Sequence, residues 1–185
     1  MITYGKANSK NDLEGILKLQ KINLTKGLSA EEIQQQGFVT VDHSYEQLKN
    51  LNDHENHIIA KDGDEVVGYV LAMTVLSRQE IPILVPMFDV FDSVLYEGKK
   101  LSGYRYLVVG QVCVDKNYRG KGIFDQAYAT YKDQYQGKYD FAITEIATTN
   151  QRSLNAHKRI GFEEVHMYKD PNETDWIVVV WDWMK

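Results

Sequence analysis

The stretch from Tyr106 to Phe162 constrains this chain more than any other. It opens on an apolar run, Tyr106-Leu107-Val108-Val109-Gly110-Gln111-Val112-Cys113-Val114. A basic turn with two glycines follows, Asn117-Tyr118-Arg119-Gly120-Lys121-Gly122. From Ile123 to Tyr135 apolar side chains recur at helical spacing, and Phe141 to Ala147 reads as a second strand. Thr149-Asn150 then opens another helical stretch, which ends at Ile160-Gly161-Phe162. The order strand, turn, helix, strand, helix, strand is that of an α/β chain.

The turn has the chemistry of an anion cradle. Gly120 and Gly122 can adopt backbone angles that other residues resist, so successive N–H groups can converge on one ligand. The first turn of the following helix adds unpaired donors and a partial positive charge. Arg119 and Lys121 stand beside it with full charges, and a pyrophosphate is the expected guest. Two familiar phosphate patterns are absent. The P-loop requires Gly-x4-Gly-Lys-Ser/Thr, and the dinucleotide fingerprint requires a third glycine where this chain has Asp125.

The pattern that remains, Arg119-x-x-Gly122-x-Phe124, resembles motif A of the GNAT superfamily of N-acetyltransferases. Downstream, Asn150, Ser153, His157 and Gly161-Phe162 resemble motif B of that family. The resemblance covers residues 106 to 168, about a third of the chain. It implies an α/β fold of the α+β type. Its mixed, mostly antiparallel central sheet has six to seven strands flanked by helices and splays between the fourth and fifth strands. It also implies acetyl-CoA as acyl donor. The coenzyme's pantetheine arm would bond to the backbone of Val112, Cys113 and Val114. Its pyrophosphate would sit on the amides of Arg119, Gly120, Lys121, Gly122, Ile123 and Phe124. Asn150 would hold the arm or cap its helix, with Ser153 beside it. Phe124 occupies the last small position of motif A, so its side chain must turn away from the coenzyme.

Two side chains are candidates for proton transfer. His157 stands where the family often places a tyrosine acid, and its alternative reading is a helix histidine bonded to a backbone carbonyl. Glu145 stands where some N-terminal-amine acetyltransferases carry a general base, and its alternative is a structural carboxylate at a strand end. The implied reaction is direct transfer of acetyl to a primary amine, on a small molecule or a peptide. The competing reading is a non-catalytic acyl-CoA-binding or regulatory protein of the same fold.

Composition narrows the rest. A chain of 185 residues, 43% hydrophobic and without a Pro/Ser-rich linker, is expected to form one domain over residues 1–185. A net charge of −5 argues against a nucleic-acid partner. Cys113 is the single cysteine, so no internal disulfide forms, in keeping with a cytoplasmic location. It also sits in an apolar strand, where a thiol is usually inert. The N-terminal residues do not read as a signal segment, and no apolar run approaches the roughly 18 residues of a membrane helix. The histidines show no paired ligand spacing, so no metal is expected. The Trp-rich last strand is compatible with a homodimer.

Outside the central stretch, Ser9 with Asp12 predicts a helix start, with Leu13, Ile16, Leu17 and Gln20 on one face. Ser29 with Glu32 predicts a helix running toward Gly37, and Ser44 starts a short one ending near Asn52. Residues 57–61 and 65–73 read as a hairpin about Asp62-Gly63-Asp64. Met87 to Tyr96 reads as an amphipathic helix with Phe88, Phe91 and Leu95 on one side, ended by Gly98. It would either shape the acceptor pocket or simply cover the sheet. Trp176 to Trp183 is expected to pair with residues 162 to 168.

Overall fold

The computed structural model describes residues 1–24, 39 and 41–185. Its strands are β1 (Ile2–Lys6), β2 (Ile58–Asp62), β3 (Glu65–Met73), β4 (Leu95–Tyr96), β5 (Lys99–Lys100), β6 (Tyr106–Val114), β7 (Phe141–Ala147), β8 (Glu163–Lys169) and β9 (Asp175–Asp182). The helices that pack on them are α1 (Lys10–Asn23), α2 (Tyr45–His54), α3 (Val85–Ser93), α4 (Ile123–Tyr135) and α5 (Gln151–Ile160).

Local chemistry explains most of the boundaries. Ser9 and Asp12 exchange hydrogen bonds as a capping box at the start of α1, and Ser44 and Gln47 do the same for α2. Gly122 precedes α4 and Gly161 follows α5, both in left-handed conformation with φ of 77° and 116°. The expected helix from Ser29 to Gly37 lies outside the described residues.

Among the described residues seven strands form one sheet, in the order β1-β2-β3-β6-β7-β9-β8. Every neighbouring pair is antiparallel except β6 and β7. This agrees with the mixed, mostly antiparallel sheet expected from the sequence, and β9 pairs with β8 as expected. On one face α4 contributes Ala127, Tyr128, Tyr131 and Tyr135, and α5 contributes Leu154. On the other, α1 and α2 bury Leu13, Ile16, Leu19 and Leu48 against β2 and β3. Met87, Phe88 and Phe91 of α3 close the same face farther along, over Tyr106, Phe141 and Val180. Burying each of the larger aliphatic or aromatic side chains contributes roughly 1.5–3 kcal/mol.

One expectation is corrected. Leu95 does not share the helical face of Phe88 and Phe91. The helix ends at Ser93, and Leu95 enters a two-residue hairpin strand where it is 65% exposed. Gly98, with φ of 78°, turns that hairpin rather than ending the helix.

Candidate active site

The site begins where β6 and β7 stop pairing. Their parallel ladder joins Tyr106, Leu107 and Val108 to Phe141, Ala142 and Ile143, and goes no farther. At the next step the Thr144 hydroxyl donates to the Val109 carbonyl at 2.8 Å, in place of a ladder bond. Beyond it the strands diverge into a cleft lined by Val109 to Val112 on one side and Thr144 to Ala147 on the other.

A bulge shapes the β6 wall of this cleft. Val70 of β3 faces Val112, but Ala72 faces Val109, so β6 carries one extra residue between those positions. The insertion reverses the alternation of side chains. Val108 packs on the α3 face and Val109 on the α4 face, yet Cys113 packs under α1. Gln111 is buried on this second side and clamps the bulge. Its Oε1 accepts from Tyr69 Oη at 2.6 Å and Gln20 Nε2 at 2.8 Å, while its Nε2 donates to the Val41 carbonyl at 3.0 Å.

The wider mouth is a cleft of about 460 Å³ at the end of β6. Val112, Cys113, Val114, Arg119, Gly120, Gly122, Ile123 and Phe124 line it, and Asn150 and Ser153 close it from α5. The residues that the sequence reading singled out for the coenzyme, all but Lys121, thus lie together around this mouth. Gly120 and Gly122 have φ of 76° and 77°, and open space lies where their side chains would be. The first bond closing α4 runs from the Gln126 amide to the Gly122 carbonyl at 3.0 Å, leaving the amides of residues 123–125 for another acceptor. A backbone cradle of this kind fits a pyrophosphate.

The full charges sit differently from expectation. Lys121 does not line the cleft, and its ammonium lies over the Tyr118 ring, 4.8 Å from the centroid. Arg119 lines the cleft but braces the turn. Its Nε donates to the Val114 carbonyl at 3.1 Å and one terminal nitrogen donates to Asn23 Oδ1 at 2.9 Å. Arg152 and Arg159, which the sequence reading passed over, also line the mouth. Asn150 caps α5, accepting from the Ser153 amide at 3.3 Å.

His157 and Glu145 both line the narrow part of the cleft. The His157 ring is 1% exposed. Its Nδ1 lies 2.7 Å from the Ser153 carbonyl, which can only accept, so Nδ1 carries the proton. Nε2 therefore accepts from the Tyr128 hydroxyl, 2.6 Å away. Burial lowers the imidazole pKa to about 4. Both nitrogens are engaged within the protein, Nδ1 giving its proton to Ser153 and Nε2 receiving one from Tyr128, an arrangement in keeping with the structural alternative.

Glu145 is the opposite case. Burial raises its pKa to about 7, the Tyr168 hydroxyl partly counters that by donating to Oε2, and the Asp170 charge adds to the rise. A carboxyl that titrates near neutrality is suited to proton transfer. The Cys113 thiol is pushed up to about 12 by burial, which fits the inert reading. Among the described residues no group of His, Cys, Asp or Glu is arranged to hold a metal. No described helix is long and apolar enough to cross a membrane.

Comparison with known proteins follows the same outline. The chain resembles the ribosomal-protein-S18-alanine N-acetyltransferase from Escherichia coli with a TM-score of 0.63 at 12% identity, covering 98% of this chain and 94% of that one. An N-acetyltransferase from Staphylococcus aureus Mu50 gives 0.64 at 15% identity, over 99% of each chain. A chain of the NatC complex bound to Gag peptide and CoA gives 0.64 at 16% identity, over 98% of each. A search of curated proteins found no match. The sequence model of the acetyltransferase (GNAT) family matches residues 26–162. That span takes in the forked strands, the glycine turn and both helices around them, and the chain accordingly belongs to the GNAT family of acetyltransferases.

Proposed function

We propose that this chain transfers an acetyl group from acetyl-CoA to a primary amine by direct attack, the amine being carried by a small molecule or a peptide. The observation that carries this reading is the fork. β6 and β7 pair over three residues and then part, with a glycine-built cradle at the open end. A thioester arm bonded along Val112 to Val114 would lie where a neighbouring strand is missing. The amides of residues 119–124 would hold its pyrophosphate. Most of that grip is backbone, so it tolerates Phe124, whose ring centroid packs 4.9 Å from that of Tyr128.

The acyl thioester supplies an activated carbonyl, and the residues of the chain supply the rest. The amine nitrogen bonds to the acyl carbon, the carbon–sulfur bond breaks, the amine gives up a proton to a base, and the departing thiolate takes one from solvent. Glu145 is proposed to receive the amine's proton, from a wall of the cleft shared with Trp176 and opposite Gln111. Negative charge gathering on the carbonyl oxygen needs donors, for which the bulged backbone near Val112 is suited. His157 is given a structural task here: its ring packs edge-on to Phe124, Tyr128 and Phe162 and shapes the floor of the cleft.

The test is thiol release from acetyl-CoA across a library of primary amines and peptide N-termini, with calorimetric titration of CoA. Amine-dependent release together with CoA binding supports the reading. Tight CoA binding with no release above the water rate would replace the enzyme by a binding protein.

A further inference from the structure

Tyr168 of β8 reaches Glu145 because the strand's own backbone is irregular. Glu163 and Glu164 face Val180 and Val179 of β9, and then His166 faces Val178, so Val165 is an extra residue. The insertion resets which side chains point to which face. Val165 and Tyr168, three apart, therefore both pack on the core that holds Phe141, Ile143 and Val178. Met167, which unbroken alternation would place beside Val165, is 60% exposed.

Tyr168 then spans β9. Its hydroxyl donates to Glu145 Oε2 on β7, although β7 and β8 are not neighbours in the sheet. Among the described residues no second donor reaches that carboxylate.

We propose that Tyr168 is a positioning residue for the transfer reaction, holding Oε2 of Glu145 so that Oε1 is presented to the cleft between β6 and β7. This rests on the reading of Glu145 as the base. The division of labour is chemical. A phenol has a single hydrogen to give, so it fixes one carboxylate oxygen and leaves the other to accept a proton. It also favours the ionised carboxylate against the cost of burial. Tyr168 keeps its own proton, because burial and the neighbouring carboxylate both raise its pKa. The other groups bearing on Glu145 are fixed in charge around neutrality. Asp170 is held ionised chiefly by the Thr174 amide, and His157 across the cleft is neutral.

The test uses the intact chain without acetyl-CoA. Carbon-13 NMR of glutamate-labelled protein follows the Glu145 carboxyl, assigned by its loss in Glu145→Gln. Tyr168→Phe keeps the ring and removes the donor, and is expected to move the midpoint to higher pH. In assays with acetyl-CoA and the amine giving the fastest thiol release, the acidic limb of kcat/KM moves with it. The rate at pH 7 then falls roughly three- to tenfold, with the Kd for CoA unchanged. Fluorotyrosine at position 168, a stronger donor of nearly the same shape, is expected to move the midpoint the other way. It serves as the second variant should Tyr168→Phe fold poorly. A midpoint that stays in place in both variants overturns the proposal. If Glu145→Gln abolishes the acidic limb while Tyr168→Phe leaves it unmoved, the positioning role alone falls. If Glu145→Gln turns over normally, the base reading falls and takes this role with it.

Discussion

His157 and Glu145 face the same narrow cleft, and both are taken largely out of water, yet they end in opposite chemical states. His157 has each ring nitrogen engaged, one giving to Ser153 and one receiving from Tyr128. Burial then fixes it neutral far below ordinary pH. Glu145 is held at one oxygen only, so burial leaves it balanced near neutrality with its second oxygen uncommitted. Burial alone does not make a side chain reactive. What decides is whether the protein's own partners use up every site of proton exchange.

The largest effect expected from this contrast is on rate. Glu145→Gln should lower kcat/KM at pH 7.5 by about 10²–10³-fold while CoA affinity holds. His157→Phe should leave turnover per folded molecule within a few fold. Loss of turnover in a well-folded His157→Phe would break the comparison.

Stability against pH is the next test. The folded pKa values of His43, His57 and His157 are lowered by burial to about 4, from an ordinary 6.5. Between those values the unfolded chain binds more protons, so stability is complete above pH 6.5 and drains as pH falls toward 4. Each histidine contributes on the order of 3 kcal/mol to that loss, and His157→Phe should flatten the acid limb of urea denaturation by one such share. Glu145 has the reverse sign. Its folded pKa is raised from 4.5 to about 7, so its contribution is greatest in acid and is lost as pH rises through 7. Glu145→Gln should therefore raise the thermal midpoint at pH 8 relative to the native chain.

A smaller effect separates coenzyme grip from proton transfer. Gly122→Ala places a Cβ on a backbone with φ of 77°, in open space, so the cost is conformational at about 1–2 kcal/mol. CoA affinity should weaken roughly fivefold with the pH limb of Glu145 unmoved, as calorimetry and a pH–rate profile would reveal. The smallest effect is expected at Cys113, a buried group of another kind. Cys113→Ala should leave kcat within about twofold, and the native thiol should resist alkylation at pH 8, since burial keeps it protonated up to about 12.

What could be read from the sequence follows how local each cause is. Gly120, Gly122 and Gly161 announce turns because left-handed backbone selects glycine where it occurs. Ser9 and Ser44 announce helix starts because their bonding partners lie three residues away. The fork was expected from the family pattern, and the bulge that shapes it has no local mark. Leu95 was misplaced because a two-residue hairpin strand imitates the next turn of a helix. The state of His157 depends on Tyr128, 29 residues earlier, which no spacing rule near motif B reaches. Tyr168 stayed hidden for a stronger reason: its partner lies two strands away, and the extra residue at Val165 reverses the face that alternation assigns.

Among the described residues β8 is the outermost strand of the sheet, its backbone ladder running to β9 alone. Rim strands detach at far lower free energy than a whole domain unfolds. The hydroxyl bonded to Glu145 is thus mounted on a rim of the sheet, where local opening costs least. On the proposed role of Tyr168, each transient peeling of that rim would release the carboxylate, so the tempo of edge fraying would set a ceiling on how steadily the proposed base is held.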